Sequence, residues 1–209
     1  SLIETGKLTL DDAVAEHLPD FGNNGKEQIS IRQLLTHMGG LIPDNSIRDY
    51  DDGPEEAMRR VFELTPTAPP GEKFMYSDVG FIVLAELVKR ITGEDVNAYS
   101  RRVIFNPLRM TETGFVPGAA LAARSAVTQQ RDDHWMQGEV HDPRAYALDG
   151  VAGHAGLFST ATDLARYAQA MINGGVLDGV RVLKPETVAL MRSPVQVSSG
   201  LRTPGWDMK

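Results

Sequence analysis

Pro69-Pro70-Gly71-Glu72-Lys73-Phe74-Met75-Tyr76-Ser77-Asp78-Val79-Gly80 is the stretch from which the rest of the chain can be read. Its two prolines and glycine make a turn, because proline fixes φ and glycine reaches conformations that other residues avoid. A short extended piece follows. Ser77 is placed to cap a helix, and Val79, Ile82, Val83, Leu87, Val88 and Ile91 then fall at the spacing of one helical face. Thr92-Gly93 ends that helix. Tyr76 thus stands one residue ahead of a buried helix, with a proline turn behind it. A polar side chain pinned in this way suits catalysis. Tyr76 can equally be a residue that only packs at a helix entry, and the stretch by itself leaves both readings open.

Upstream, residues 2–5 read as the end of a helix closed by Gly6. Thr9 opens a short helix to about His17, which Leu18-Pro19 stops. Ser30 with Gln33 makes a capping box before Ile31, Leu34 and Leu35, and Thr36-His37-Met38-Gly39-Gly40 ends that helix. Pro54 stands as first residue of a helix to about Leu64. Downstream, Glu94-Asp95 opens a helix with Val96, Tyr99 and Val103 on one face, closed by Asn106-Pro107. Thr111 to Gly153 shows no sustained period, and structureless segments of that length are rare unless they have a task. Short strands are expected there, for example Ser125 to Gln129. Thr160 with Asp163 caps a helix to about Asn173, and Lys184-Pro185-Glu186 starts a last one to about Arg192.

Composition narrows the function. The 209 residues suit one large domain or two small ones, and a net charge of −7 argues against a nucleic-acid partner. Arg59-Arg60 and Arg101-Arg102 read as solvated helix faces. There is no cysteine, which removes disulfides, thiol catalysis and cysteine-ligated zinc. No apolar run is long enough to span a membrane. The N-terminal Ser1-Leu2-Ile3-Glu4-Thr5-Gly6-Lys7 lacks a signal-peptide pattern. The chain is expected to be cut at both ends.

Three groups of residues suggest chemistry. Gly153-His154-Ala155-Gly156 could present backbone N–H groups to an anion at a helix N-terminus, although the Lys-Ser/Thr of a phosphate loop is missing. His134, His141 and His154, with Asp132, Asp133 and Asp142, are zinc ligands by type, but their spacing fits no familiar pattern. His37 and His154 could act as bases. No nucleophile is visible for them: the chain has neither Gly-x-Ser-x-Gly nor Ser-x-x-Lys.

Four blocks in order resemble one family. They are Gly-Lys-Leu-Thr-Leu-Asp-Asp-Ala-Val (6–14), Ile-Ser-Ile-Arg-Gln-Leu-Leu-Thr-His-Met-Gly-Gly-Leu (29–41), Pro-Gly-Glu-Lys-Phe-Met-Tyr-Ser-Asp-Val-Gly-Phe-Ile-Val-Leu-Ala (70–85) and Ala-Gly-His-Ala-Gly-Leu-Phe-Ser-Thr-Ala-Thr-Asp-Leu-Ala-Arg-Tyr (152–167). Together they are similar to the serine β-lactamase-related family of class C β-lactamases, D-alanyl-D-alanine carboxypeptidases and related esterases. The resemblance implies a serine nucleophile with its lysine in Ser-x-x-Lys, a Tyr-x-Asn motif whose tyrosine relays the proton, and a Lys/His-x-Gly strand beside the substrate. Tyr76 matches the tyrosine. Asp78 takes the asparagine position, where a carboxylate cannot donate a hydrogen bond unless protonated. Gly156, Leu157, Phe158 and Ser159 match the loop that borders the family's cleft. His154-Ala155-Gly156 reads as loop, because it lies too early to be the third motif. Ser-x-x-Lys is expected upstream of Gly6, and the third motif beyond Trp206.

The resemblance further implies a mainly α chain with a few short strands, the helical region of the α/β serine β-lactamase/DD-peptidase fold with most of the sheet missing. Residues 1–209 would be a single partial domain. The function implied is that of a serine-hydrolase fragment, inactive alone, whose parent hydrolyses an amide or ester through an acyl-enzyme. The alternative is a non-catalytic binding or scaffolding relative, which Asp78 favours. Substrates would be small molecules or peptidoglycan peptides, with no cofactor and no metal. The family's setting is periplasmic or extracellular, and helix faces left bare would favour self-association.

Overall fold

Ser77 does cap the long helix. In a computed structural model, which describes residues 1–208, its hydroxyl accepts the Gly80 N–H at 3.2 Å. Helix α4 then runs Asp78–Thr92 and ends at Gly93, whose φ of 74° suits glycine. Val79, Ile82, Val83 and Leu87 form its buried face. Before it come α1 (Val14–His17), α2 (Ile31–Leu35) and α3 (Pro54–Glu63); after it come α5 (Val96–Ser100), α6 (Ala119–Ala122), α7 (Pro143–Ala147), α8 (Ala161–Ile172) and α9 (Pro185–Arg192). About 38 % of the chain is helical. α1 to α4 share one core with Leu18, Phe21, Ile29 and Val61. A second core holds Phe105, Leu108, Met110, Met171, Leu183 and Val188.

Eight short strands make four antiparallel pairs among the described residues. They are β1 (Gly114–Phe115) with β4 (Leu157–Phe158), β2 (Val127–Arg131) with β3 (His134–Gln137), β5 (Val176–Leu177) with β6 (Val180–Arg181), and β7 (Val195–Val197) with β8 (Gly200–Arg202). The segment 111–153 is therefore not without structure: it carries β1, α6, the β2–β3 hairpin and α7.

Three expectations shift. Residues 2–5 form turns rather than a helix end. The helix expected from Thr9 begins only at Val14, because residues 10–14 are tied to the 29–32 segment: Leu10 O accepts from Arg32 N–H at 2.8 Å and Ile29 O from Val14 N–H at 2.9 Å. The box at Thr160 is half a box. Thr160 accepts the Asp163 N–H at 3.2 Å, but the Asp163 carboxylate turns inward to Glu112 N–H at 2.9 Å and the Thr113 hydroxyl at 2.8 Å. The box at Ser30 is complete, with both reciprocal bonds made.

Candidate active site

The segment that carries Tyr76 is tied down along its length. Met75 N–H donates to His37 O at 2.9 Å, Ser77 N–H to His37 Nδ1 at 3.0 Å, and Asp78 N–H to Pro43 O at 2.9 Å. The Ser77 hydroxyl donates to Ile42 O at 2.6 Å. Four bonds thus fasten residues 75–78 to residues 37–43, and the Tyr76 ring lies over the His37 ring, centroids 4.3 Å apart and planes 27° apart. Tyr76 is nevertheless 58 % exposed. It does not pack in an apolar core. Its phenol stands in the open on a fixed base.

His37 is the base of that arrangement, and it is the residue whose part the sequence least reveals. It is buried, with φ of 57°, a left-handed conformation that costs a non-glycine residue about 1–2 kcal/mol. Phe74 meets its edge and Phe81 covers it obliquely. Because Nδ1 accepts the Ser77 N–H, a proton there would break the bond. Burial first, and then the charge of Arg202, push the His37 pKa from its ordinary 6.5 down to about 4, against a smaller pull from the Ser77 contact and Asp207.

A pH dependence follows. The folded value lies below the unfolded one, so the unfolded chain holds the extra proton between pH 6.5 and 4, and stability falls as pH drops through that window. Between pH 8 and pH 5 the loss is about 2 kcal/mol. His37→Asn keeps an acceptor near the Nδ1 position and tolerates a left-handed backbone. Urea melts at each pH should show the slope in the natural chain and a flat response over pH 8 to 5 in the variant. Equal slopes would assign the dependence to another group.

Asp78 opens α4 beyond Tyr76, half-buried. Burial, aided by Asp44 and Asp142, raises its pKa, and His154 and Arg144 act against the rise. Asp142 caps α7 by accepting the Ala145 N–H at 2.8 Å and also faces His154 Nε2 at 2.9 Å. Burial pushes the Asp142 pKa up, but these two contacts outweigh it and leave it below the ordinary range. Arg144 reaches across to Asn45 O at 2.6 Å and to Asp44 at 3.3 Å.

The other expected residues separate. Of the histidine and aspartate set in and beside the 111–153 segment, Asp142 and His154 come together, and they do so with Asp78. His134 pairs instead with Glu139 at 2.6 Å, at the end of the β2–β3 hairpin. Gly153 to Gly156 make no anion cradle at a helix start, because strand β4 follows them and α8 begins only at Ala161. Gly156 takes a φ of 108°, and Leu157 and Phe158 form β4, with Leu157 exposed. Ser159 Oγ lies 2.8 Å from Thr113 Oγ1, joined to the buried Asp163 network. A groove between α3 and α4, lined by Met58, Phe62, Ile82 and Lys89, does not reach Tyr76.

Residues 1–207 match the family model described as Beta-lactamase. The chain belongs to the beta-lactamase family. This beta-lactamase-family chain is 30 % identical over 223 residues to the N-acetylmuramyl-L-alanine amidase of Bacillus subtilis (strain 168), covering 92 % of the chain and 50 % of that protein. It is 32 % identical over 218 residues to an Escherichia coli (strain K12) protein given the provisional name D-alanyl-D-alanine carboxypeptidase, covering 90 % and 50 %. A penicillin-binding protein homolog from Caulobacter crescentus superposes with a TM-score of 0.73 at 20 % identity, covering 98 % of this chain and 61 % of that one; at such identity the fold is what the two share. The chain spans about half the length of the curated relatives it matches. The resemblance read from the four blocks is confirmed, and no helix among the described residues is long and apolar enough to cross a membrane.

Proposed function

We propose that this chain is the central part of a serine hydrolase working by acyl transfer, and that Tyr76 carries its proton. One observation supports this above the others: an exposed phenol whose backbone is fastened by four hydrogen bonds and whose ring rests on a buried histidine. Relatives named as an amidase and a carboxypeptidase support an amide bond as the target. A serine outside this chain attacks the carbonyl carbon. Its proton passes through the Tyr76 oxygen to the leaving group, and water then hydrolyses the acyl-serine. Asp78 and the Gly156–Ser159 segment border the substrate, a small molecule or a peptidoglycan peptide, in a periplasmic or extracellular setting.

On this reading residues 1–209 are one partial domain, with most of the sheet, the serine and its lysine supplied by other parts of the protein. Two exposed residues on α8, Leu164 and Ile172, two turns apart, support a further layer there or self-association of the isolated chain. The chain alone is inactive. The test is intact-mass spectrometry of the longer gene product after exposure to a β-lactam and to a p-nitrophenyl ester. An adduct on a serine of a Ser-x-x-Lys is expected, and none on residues 1–209. Turnover by residues 1–209, abolished in Tyr76→Phe, overturns the claim of inactivity. A longer product without Ser-x-x-Lys and without adduct favours the second reading, a binding relative, for which Asp78 at the asparagine position already speaks.

A further inference from the structure

One residue meets Tyr76 from three directions. His37 O accepts the Met75 N–H at 2.9 Å, and His37 Nδ1 accepts the Ser77 N–H at 3.0 Å. Its imidazole lies against the Tyr76 ring, centroids 4.3 Å apart. The main chain is thus tied immediately before and immediately after the tyrosine. The side chain between the two ties rests on the residue that makes them.

Backbone ties by themselves leave a tyrosine its two side-chain torsions, and the phenol oxygen sits at the far end of both. A ring face takes up that freedom. Histidine is the aromatic side chain with an acceptor nitrogen in its ring; phenylalanine has none, and the tryptophan nitrogen only donates. Asparagine would supply the acceptor without the face. Here both parts of the imidazole are in use. The backbone at this position has a φ of 57°, which glycine and asparagine adopt at lower cost. A ring kept there against that preference points to a task for the ring.

The acceptor works only while Nδ1 is bare, so the neutral ring carries its proton on Nε2. Burial first, and then the charge of Arg202, hold the His37 pKa at about 4 against Asp207, which keeps the acceptor intact at neutral pH. Arg202 lies over the Phe74 ring, 5.1 Å from its centroid, and Phe74 and Phe81 meet the imidazole with centroids 5.9 and 5.0 Å away.

We propose that His37 is a positioning residue for acyl transfer, aiming the Tyr76 phenol through two backbone bonds and a ring face without touching the substrate. This rests on the reading of Tyr76 as proton carrier. Catalytic groups work within about 0.5 Å of their productive place, and a misplacement of about 1 Å costs about 10²-fold in rate. His37 therefore acts on kcat and not on substrate binding.

The test is a double-mutant cycle in the longer gene product with a p-nitrophenyl ester at pH 7.5, each variant shown folded by circular dichroism. His37→Asn keeps the acceptor and removes the face, so kcat should fall about 10- to 100-fold with KM within about twofold. In a Tyr76→Phe background the same change should cost less than about threefold, because the phenol on which His37 acts is already gone. His37→Phe keeps the face and should recover part of the kcat lost in His37→Asn, even where it melts lower. His134→Asn, exposed and paired with Glu139, should keep the natural kcat. Nuclear magnetic resonance of the natural protein with labelled tyrosine should show the Tyr76 ring protons shifted upfield by the imidazole, a shift that His37→Asn loses. An equal loss of kcat in both backgrounds means a structural residue only and overturns the proposal. So do Tyr76 ring signals at their unstacked positions, whatever the kinetics. A loss in Tyr76→Phe with none in His37→Asn overturns the positioning role alone. Absence of turnover, or a natural kcat in Tyr76→Phe, removes the proton-carrier reading and the positioning role with it.

Discussion

Gly153→Ala is expected to lower the stability of the chain by about 3 kcal/mol or more, at or beyond the upper end of ordinary overpacking. The added Cβ would lie 1.9 Å from Phe81 O, 2.8 Å from Phe81 C and 3.1 Å from Ala85 Cβ. The oxygen and carbon belong to the backbone of α4, which is held in its own hydrogen-bond ladder and in the main core, so they cannot yield. The turn must lift instead. Lifting it carries His154 away from Asp78 and Asp142 and strips cover from Ala152, which packs with Val140 and Ala145. Urea denaturation should show a lower midpoint. Gly6→Ala is the comparison: its φ of 66° strains alanine, a cost that Gly153 does not share, but nothing lies within 4 Å of the new Cβ, so only that backbone cost of about 1 kcal/mol applies. If Gly153→Ala melts no lower than Gly6→Ala, the close approach of the turn to α4 is wrong.

That contact shows where the sequence could and could not be read. Periodicity finds α4, since Val79, Ile82, Val83 and Leu87 repeat on one face, and cap chemistry finds its start at Ser77. Both signals are local. Gly153 gives no local signal: what makes it glycine is a carbonyl 72 residues earlier in the chain. Asp163 illustrates the same limit, because its position after Thr160 matches a capping box while its carboxylate serves Thr113, from another element. The placement of Tyr76 was legible, because a turn, an N-cap and a buried helix surround it. His37 was read as a possible base in a glycine-ended helix stop, and its left-handed φ and its place under the Tyr76 ring come only from the fold. Pairing of Asp142 with His154 was within reach of residue type but not of spacing, as Asp78 joins them from 64 residues upstream of Asp142. The small strands β5 to β8 were missed because two- and three-residue pairs are too short to show an alternation.

In the whole protein proposed above, Tyr76→Phe is expected to reduce kcat about 10²–10⁴-fold, the usual weight of one positioned proton carrier. That corresponds to about 3–5 kcal/mol of lost transition-state stabilisation. The hydroxyl has no hydrogen bond among the described residues, and the ring keeps its stack on His37 when the oxygen is removed, so the fold has nothing to lose. Stability should therefore match the natural chain within about 0.5 kcal/mol, as for an ordinary surface change. KM should change little, because the oxygen acts on the proton in flight rather than on the bound substrate. Tyr76→Ala separates the two parts of the residue. It removes the ring as well, uncovers the His37 imidazole and should soften the pH window in which His37 destabilises the fold, besides losing activity at least as far as phenylalanine does. A Tyr76→Phe protein that keeps its kcat within threefold, while remaining folded, would leave the exposed phenol without a part in the chemistry and return Tyr76 to the role of a residue that stacks on His37 and nothing more.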